Sequence, residues 1–139
     1  MRYLLDTVVI SELLASEPAV KVMQWVDQLP VEAVYVSVIT LGELRKGVEK
    51  LDDNHRRHTL RRWLFDDLVS RFDGKILPID TEVMLEWGEM MAELERDGHT
   101  MATTDSLIAA LARRHACTLV TCNEADFKGA GISIANPWK

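Results

Sequence analysis

Short apolar runs alternate with longer segments of helical period along this 139-residue chain, and that alternation restricts its fold more than any other feature. Tyr3-Leu4-Leu5 stops at Asp6-Thr7 and gives way to a helical pattern through Leu13-Leu14. Pro18 is expected in the first turn of a second amphipathic helix carrying Val22, Trp25, Val26 and Leu29, which Pro30 ends. Val34-Tyr35-Val36 reads as a second strand, and residues 37–47 as a helix with Val38, Leu41 and Leu44 inward. A polar helix over about 54–72, built around Leu60, Leu64 and Leu68, breaks at Gly74. Ile76-Leu77-Pro78 is a third strand, and Val83, Trp87, Met90, Met91 and Leu94 line a helix over 81–96 that Asp97-Gly98 ends. Thr103 or Thr104 stands where it would cap a helix over 105–115. Residues 118–121 form a fourth strand and Ile132-Ser133-Ile134 a fifth. Such alternation predicts an α/β fold, a three-layer α/β/α sandwich on a parallel sheet of four to five strands with right-handed crossovers.

The length suits one domain over 1–139 with a real core, since nearly half the residues are hydrophobic. No stretch approaches the roughly 20 apolar residues of a membrane span. The N-terminus reaches an acid too early for a secretory signal, so a soluble, cytoplasmic chain is expected. Cys117 and Cys122, the only cysteines, flank an apolar run and suggest a reducing compartment. With two cysteines that form no C-x-x-C pair, the sequence argues against structural zinc, and any metal would be held by oxygen. The net charge of −6 argues against a protein that grips nucleic acid with its whole surface, but not against a nuclease with a local basic strip.

In an open parallel sheet ligands bind beyond the carboxyl ends of the strands, at the switch in strand order. Asp6 directly follows the first strand, Glu43 lies two turns into the helix after the second, Asp105 begins the helix before the fourth, and Asn123 and Asp126 follow the fourth. Each alone is explained as a helix-terminus or surface acid. Together they are not, because Glu43 shares a helical stripe with Ile39 and lies near Leu44 and Gly47, and an inward carboxylate needs a partner. Clustered carboxylates repel and take up protons unless a cation balances them. All-oxygen ligation selects Mg²⁺ or Mn²⁺, and phosphodiester hydrolysis is the chemistry such an ion serves.

The segment Leu4-Leu5-Asp6-Thr7-Val8-Val9-Ile10-Ser11-Glu12 resembles the opening motif of the PIN-domain ribonucleases, specifically the VapC and FitB branch of bacterial type II toxins. Ser37-Val38-Ile39-Thr40-Leu41-Gly42-Glu43-Leu44-Arg45-Lys46-Gly47 resembles their second acidic motif. Thr104-Asp105-Ser106-Leu107-Ile108-Ala109-Ala110 is similar to the third, and Thr121-Cys122-Asn123-Glu124-Ala125-Asp126-Phe127 to the fourth. Asn136-Pro137-Trp138 resembles the FitB ending. The resemblance spans the chain and implies a PIN-like fold, a Mg²⁺- or Mn²⁺-dependent endoribonuclease cutting RNA, and a homodimer neutralised by a small DNA-binding antitoxin. It places Asp6, Glu43 and Asp105 at the catalytic metal, with Asn123 and Asp126 as further candidates. Two departures stand out: Val8 replaces the family's Asn, and Asn123 stands where an acid is often found. Both remove polar function, so a catalytically weakened binding or regulatory module is the alternative within the same fold.

Thr7, Thr121 and Ser106 are candidates to orient a ligand carboxylate or a water, although a hydroxyl at a strand end or first helical turn more often caps backbone. Glu12 is a candidate partner for Arg45 or for an antitoxin arginine. The dense basic stretch His55-Arg56-Arg57-His58 with Arg61 and Arg62, together with Arg45, is the candidate contact for RNA or antitoxin. Its competing explanation is the solvated face of a helix whose leucines are buried. His55 and His58 lack a third ligand, and Trp25, Trp63 and Trp87 fall at apolar helical positions, which assigns them to packing. A phospho-acceptor signalling domain is disfavoured because only one acid follows the first strand where such domains carry a pair; a D-x-D phosphatase is disfavoured because Val8 stands two after Asp6.

Overall fold

A computed structural model describes residues 1–139. Five parallel strands, β1 (Arg2–Leu5), β2 (Val34–Ser37), β3 (Ile76–Leu77), β4 (Cys117–Val120) and β5 (Ile134–Ala135), lie in the order β3-β2-β1-β4-β5. The chain builds outward from β1 through β2 to β3, then crosses back to β4 beside β1. The switch point therefore falls between β1 and β4.

The strands are buried on both faces, which is why they read as continuous apolar runs. Successive residues point to opposite sides. Leu4 and Leu119 enter one core with Val83, Met90 and Leu94 of α5 (Thr81–Arg96) and Ile108 and Leu111 of α6 (Thr103–Arg114). Leu5 and Val120 enter the other, with Val9 and Ile10 of α1 (Thr7–Leu14), Val22 of α2 (Val20–Asp27) and Leu44 of α3 (Val38–Glu49). Leu64 and Leu68 complete it from a helix that begins as α4 (Asn54–Arg62) and continues as a π-helical segment (Trp63–Val69). These layers are the expected α/β/α sandwich. No helix is long and apolar enough to cross a membrane.

Several boundaries differ from expectation for local reasons. α2 starts at Val20, not at Pro18, because Ala19 is extended and its N–H is taken by Glu12 Oε2 at 3.3 Å. α3 runs past Gly47 because Val48 is buried on the same face as Thr40 and Leu44; Val38, expected inward, is only half-buried. α6 begins at Thr103, so Thr103 and Thr104 lie inside its first turn and cannot cap it; Ala102 holds the cap position with no side-chain bond. β4 begins at Cys117 and β5 is displaced to Ile134–Ala135. The π segment was not expected. A row of side chains four apart drifts around a 3.6-residue helix, and the wider π turn offsets that drift, keeping Leu64, Leu68 and Phe72 in the core.

Leu119, fully buried at the sheet centre, and Leu85, 66% exposed on α5, bracket what burial contributes. Leu119→Ala is expected to lower unfolding free energy by about 2–5 kcal/mol, and Leu85→Ala to change it by less than about 0.5 kcal/mol, in urea titration. Equal effects would contradict the core described above.

Candidate active site

Asp6 marks the switch point. Its backbone N–H donates to Val120 O at 3.0 Å, extending the β1–β4 ladder by one residue, and its side chain then turns into the crevice as the N-cap of α1. The carboxylate is 5% exposed. Oδ1 accepts from Thr7 N at 2.8 Å, and Oδ2 accepts from the hydroxyl of fully buried Thr121, just past β4, at 2.8 Å. Thr121 Oγ1 in turn accepts from Asn123 N at 3.0 Å.

A hydroxyl chain ties α3 to the same place. Ser37 caps α3 through Thr40 N at 3.0 Å and donates from Oγ to Thr40 Oγ1 at 3.3 Å. Thr7 Oγ1 donates to Glu43 Oε1 at 2.6 Å, which uses its only proton, so the 2.9 Å contact between Thr7 and Thr40 has Thr40 as donor. The order Ser37 to Thr40 to Thr7 to Glu43 satisfies every hydroxyl and ends on a carboxylate. Ser37 and Thr40 were not singled out in the sequence. Their signal is the Ser-x-x-Thr capping spacing, with Thr40 one turn before Glu43.

Asp105 occupies the first turn of α6, half-buried. Burial pushes its carboxyl above the ordinary range, and the negative charges of Asp6, Asp126 and Glu43 push it further. Asp6 is raised chiefly by burial, opposed by the Thr121 and Thr7 hydrogen bonds and reinforced by Glu43 and Asp126. The four acids thus share one field. Asp126 reaches it from an exposed short turn, Glu124–Phe127. Asn123 is exposed, and its side-chain oxygen meets Cys122 Sγ at 3.6 Å.

Other candidates lie elsewhere. Ser106 is buried between α5 and α6, accepting from Trp87 Nε1 at 2.9 Å and donating to Thr103 O at 2.6 Å, so both its bonds serve helix packing. Glu12 holds Ala19 N, not Arg45. Arg45 and Arg61 both bind Glu49, at 2.9 and 2.7 Å, and Arg45 also lies over the Phe65 ring. Arg57 donates to Leu51 O and Asn54 Oδ1, while exposed Arg56 makes no ion pair. Val8 packs toward the α1 core and presents no polar atom.

No three Asp, Glu, His or Cys side chains are placed to hold an ion together as they stand. The donor chemistry nevertheless fits a hard divalent cation: the charged groups that act on Asp6 and Asp105 are all carboxylates, and both carry raised affinity for positive charge in the form of a proton. A carboxyl whose folded value is raised weakens the fold above that value and loses this penalty as pH falls toward the unfolded value. Asp105 makes no side-chain hydrogen bond, so Asp105→Asn removes the repulsion without breaking a contact. It is expected to raise the thermal midpoint of metal-free protein at pH 7, with the gain shrinking as pH falls toward the ordinary Asp value of 3.8. A lowered midpoint at pH 7 in scanning calorimetry would refute the shared field.

The PIN domain family matches residues 3–132. Toxin FitB of Neisseria gonorrhoeae is 37% identical, with 97% of each chain covered. VapC ribonuclease Y4jK of Sinorhizobium fredii is 34% identical, with 97% of this chain and 96% of the relative covered. Among solved structures, FitAcB from Neisseria gonorrhoeae superposes with a TM-score of 0.94 at 37% identity over 98% of both chains. VapBC2 from Rickettsia felis, bound to a DNA fragment from its promoter, superposes at 0.81 with 27% identity, again over 98% of both. The parallel sheet in the order β3-β2-β1-β4-β5 and a match over nearly the whole chain lead to one conclusion: this protein belongs to the PIN domain family, in its VapC and FitB toxin branch.

Proposed function

We propose that this chain is a metal-dependent endoribonuclease, the toxin of a type II toxin–antitoxin pair, hydrolysing RNA phosphodiester bonds at the crevice beyond β1 and β4. The observation that carries the reading is the convergence of Asp6, Glu43, Asp105 and Asp126, where burial, reinforced by their mutual repulsion, raises the carboxyls of Asp6 and Asp105. Ribonuclease names among the relatives, including the VapC of Sinorhizobium fredii, support it.

In this reading Asp6, Glu43 and Asp105 hold Mg²⁺ or Mn²⁺, with Asp126 and the Asn123 carbonyl oxygen as candidate fourth donors. The ion supplies Lewis-acid polarisation of the phosphodiester and an activated water. The protein's own part is orientation. Thr121 and the Thr7 amide fix both Asp6 oxygens, and the hydroxyl chain from Ser37 fixes one oxygen of Glu43, leaving the remaining lone pairs for ligation. The acids and the groups that orient Asp6 and Glu43 are all present, which supports the enzyme over the weakened-module alternative.

The chain acts as one domain over 1–139, in the cytoplasm, with a small DNA-binding antitoxin as its partner. Solved relatives support that partner: FitAB has been solved on an IR36 DNA fragment, and VapBC2 on promoter DNA. A homodimeric toxin follows from the family resemblance.

Purified protein with Mn²⁺ is expected to cleave single-stranded RNA, and chelation to stop it. Asp6→Asn, Glu43→Gln and Asp105→Asn should each abolish cleavage, while Thr121→Val, which frees one Asp6 oxygen and the Asn123 amide, should lower activity or metal affinity by about 10–100-fold. RNA left intact at high protein concentration, with Mn²⁺ bound by calorimetry, would sink the enzyme reading.

A further inference from the structure

Resting on the nuclease reading, we infer that the RNA backbone leaves the carboxylates along α3, over a track made by Lys46, Lys50 and the bare helix surface at Gly42 and Gly47. An open cleft of about 570 Å³ borders Glu43 and is lined by Val38, Ile39, Gly42, Lys46, Gly47, Lys50 and, across from them, Thr104 beside Asp105. On α3 these positions fall at i, i+3, i+4, i+7, i+8 and i+11 from Ile39, one helical stripe that starts at the acids and runs toward the C-terminal end.

Three observations give that stripe its function. Lys46 and Lys50 are exposed and form no ion pair, whereas neighbouring Arg45 and Arg61 are both held by the Glu49 carboxylate. These lysines are therefore unpaired basic groups lining the cleft beside Glu43. Next, Gly42 and Gly47 interrupt a helix at a cost in stability, yet a Cβ at either would meet nothing within 4 Å. Packing inside this chain does not require them, and what a side chain there would obstruct is a ligand in the cleft. Finally, only Val38 and Ile39 of the lining are apolar. A protein partner needs an apolar anchor, whereas a phosphate backbone is held by charge alone.

The test uses Asp105→Asn protein, so that RNA is bound without being cut, and fluorescence anisotropy of a labelled single-stranded RNA over a salt series. Lys46→Gln with Lys50→Gln is expected to weaken binding at least tenfold at low salt and to flatten the log–log salt slope by about 1.4, the value for two phosphate contacts on a single strand. Lys21→Gln with Arg96→Gln, which removes two charges outside the cleft, should change neither. Gly47→Ala is expected to melt no lower than its parent while binding RNA more weakly. In the cleaving background the lysine pair should raise KM and spare kcat.

Unchanged affinity in the lysine pair or in Gly47→Ala overturns the track, as does RNA that the Asp105→Asn parent fails to bind. Failure of the nuclease reading is seen separately, as intact RNA with wild-type protein and Mn²⁺. A lysine variant that cleaves as wild type would leave that reading standing and remove only the track.

Discussion

One buried carboxylate organises the molecule. Asp6 stands where the sheet reverses its strand order, and an ionised group at 5% exposure is tolerated only if its oxygens are satisfied. Thr121 satisfies one from β4 and the Thr7 amide the other from the start of α1. The same Thr7 then uses its hydroxyl on Glu43, joining α1 to α3. The bonds that make Asp6 tolerable are therefore the ones that bring β1, β4 and α3 to a common point. Scaffold and site share these contacts, which explains why the acids lie far apart in sequence yet share a field.

The sequence made the layers and the acids legible because both depend on burial. Leu4 and Leu5 face opposite cores, so the end of β1 had to be apolar on both faces, and the acid that follows it had to emerge at the crevice. Helix starts were harder to place. At α6, threonines looked like caps, but Ala102 took that position and the helix absorbed them, because propensity alone does not fix a boundary that tertiary packing sets. The surroundings of Ser106 were hidden for a similar reason: nothing in its neighbours reveals that Trp87, nineteen residues earlier, needs an acceptor for its indole N–H.

Charge was the least legible property. Arg45 and Arg61 belong to the densest basic region, yet Glu49 draws both into one surface network, and its own carboxyl is held below the ordinary range by the Arg61 hydrogen bond. Surface pairs of this kind add little stability. Their effect is to hold both guanidinium groups on one carboxylate and so lower the net positive charge open to an anionic ligand. A count of basic residues in sequence cannot register such pairing, because Arg61 and Glu49 sit on different helices, α4 and α3.

α3 shows how one helix divides these tasks. Thr40, Leu44 and Val48 face the sheet and hold the helix in place; Arg45 and Glu49 form the charged outer face; Glu43, Lys46 and Lys50, with the two glycines, face the cleft. The first face tolerates Gly42 and Gly47 because tertiary burial, not helix propensity, secures the helix. That tolerance matters because a helix secured only by propensity would need alanine at both positions. The carboxylate cluster follows the same logic: burial elsewhere supports a set of like charges that weakens the metal-free fold, and their repulsion is what a bound cation would relieve.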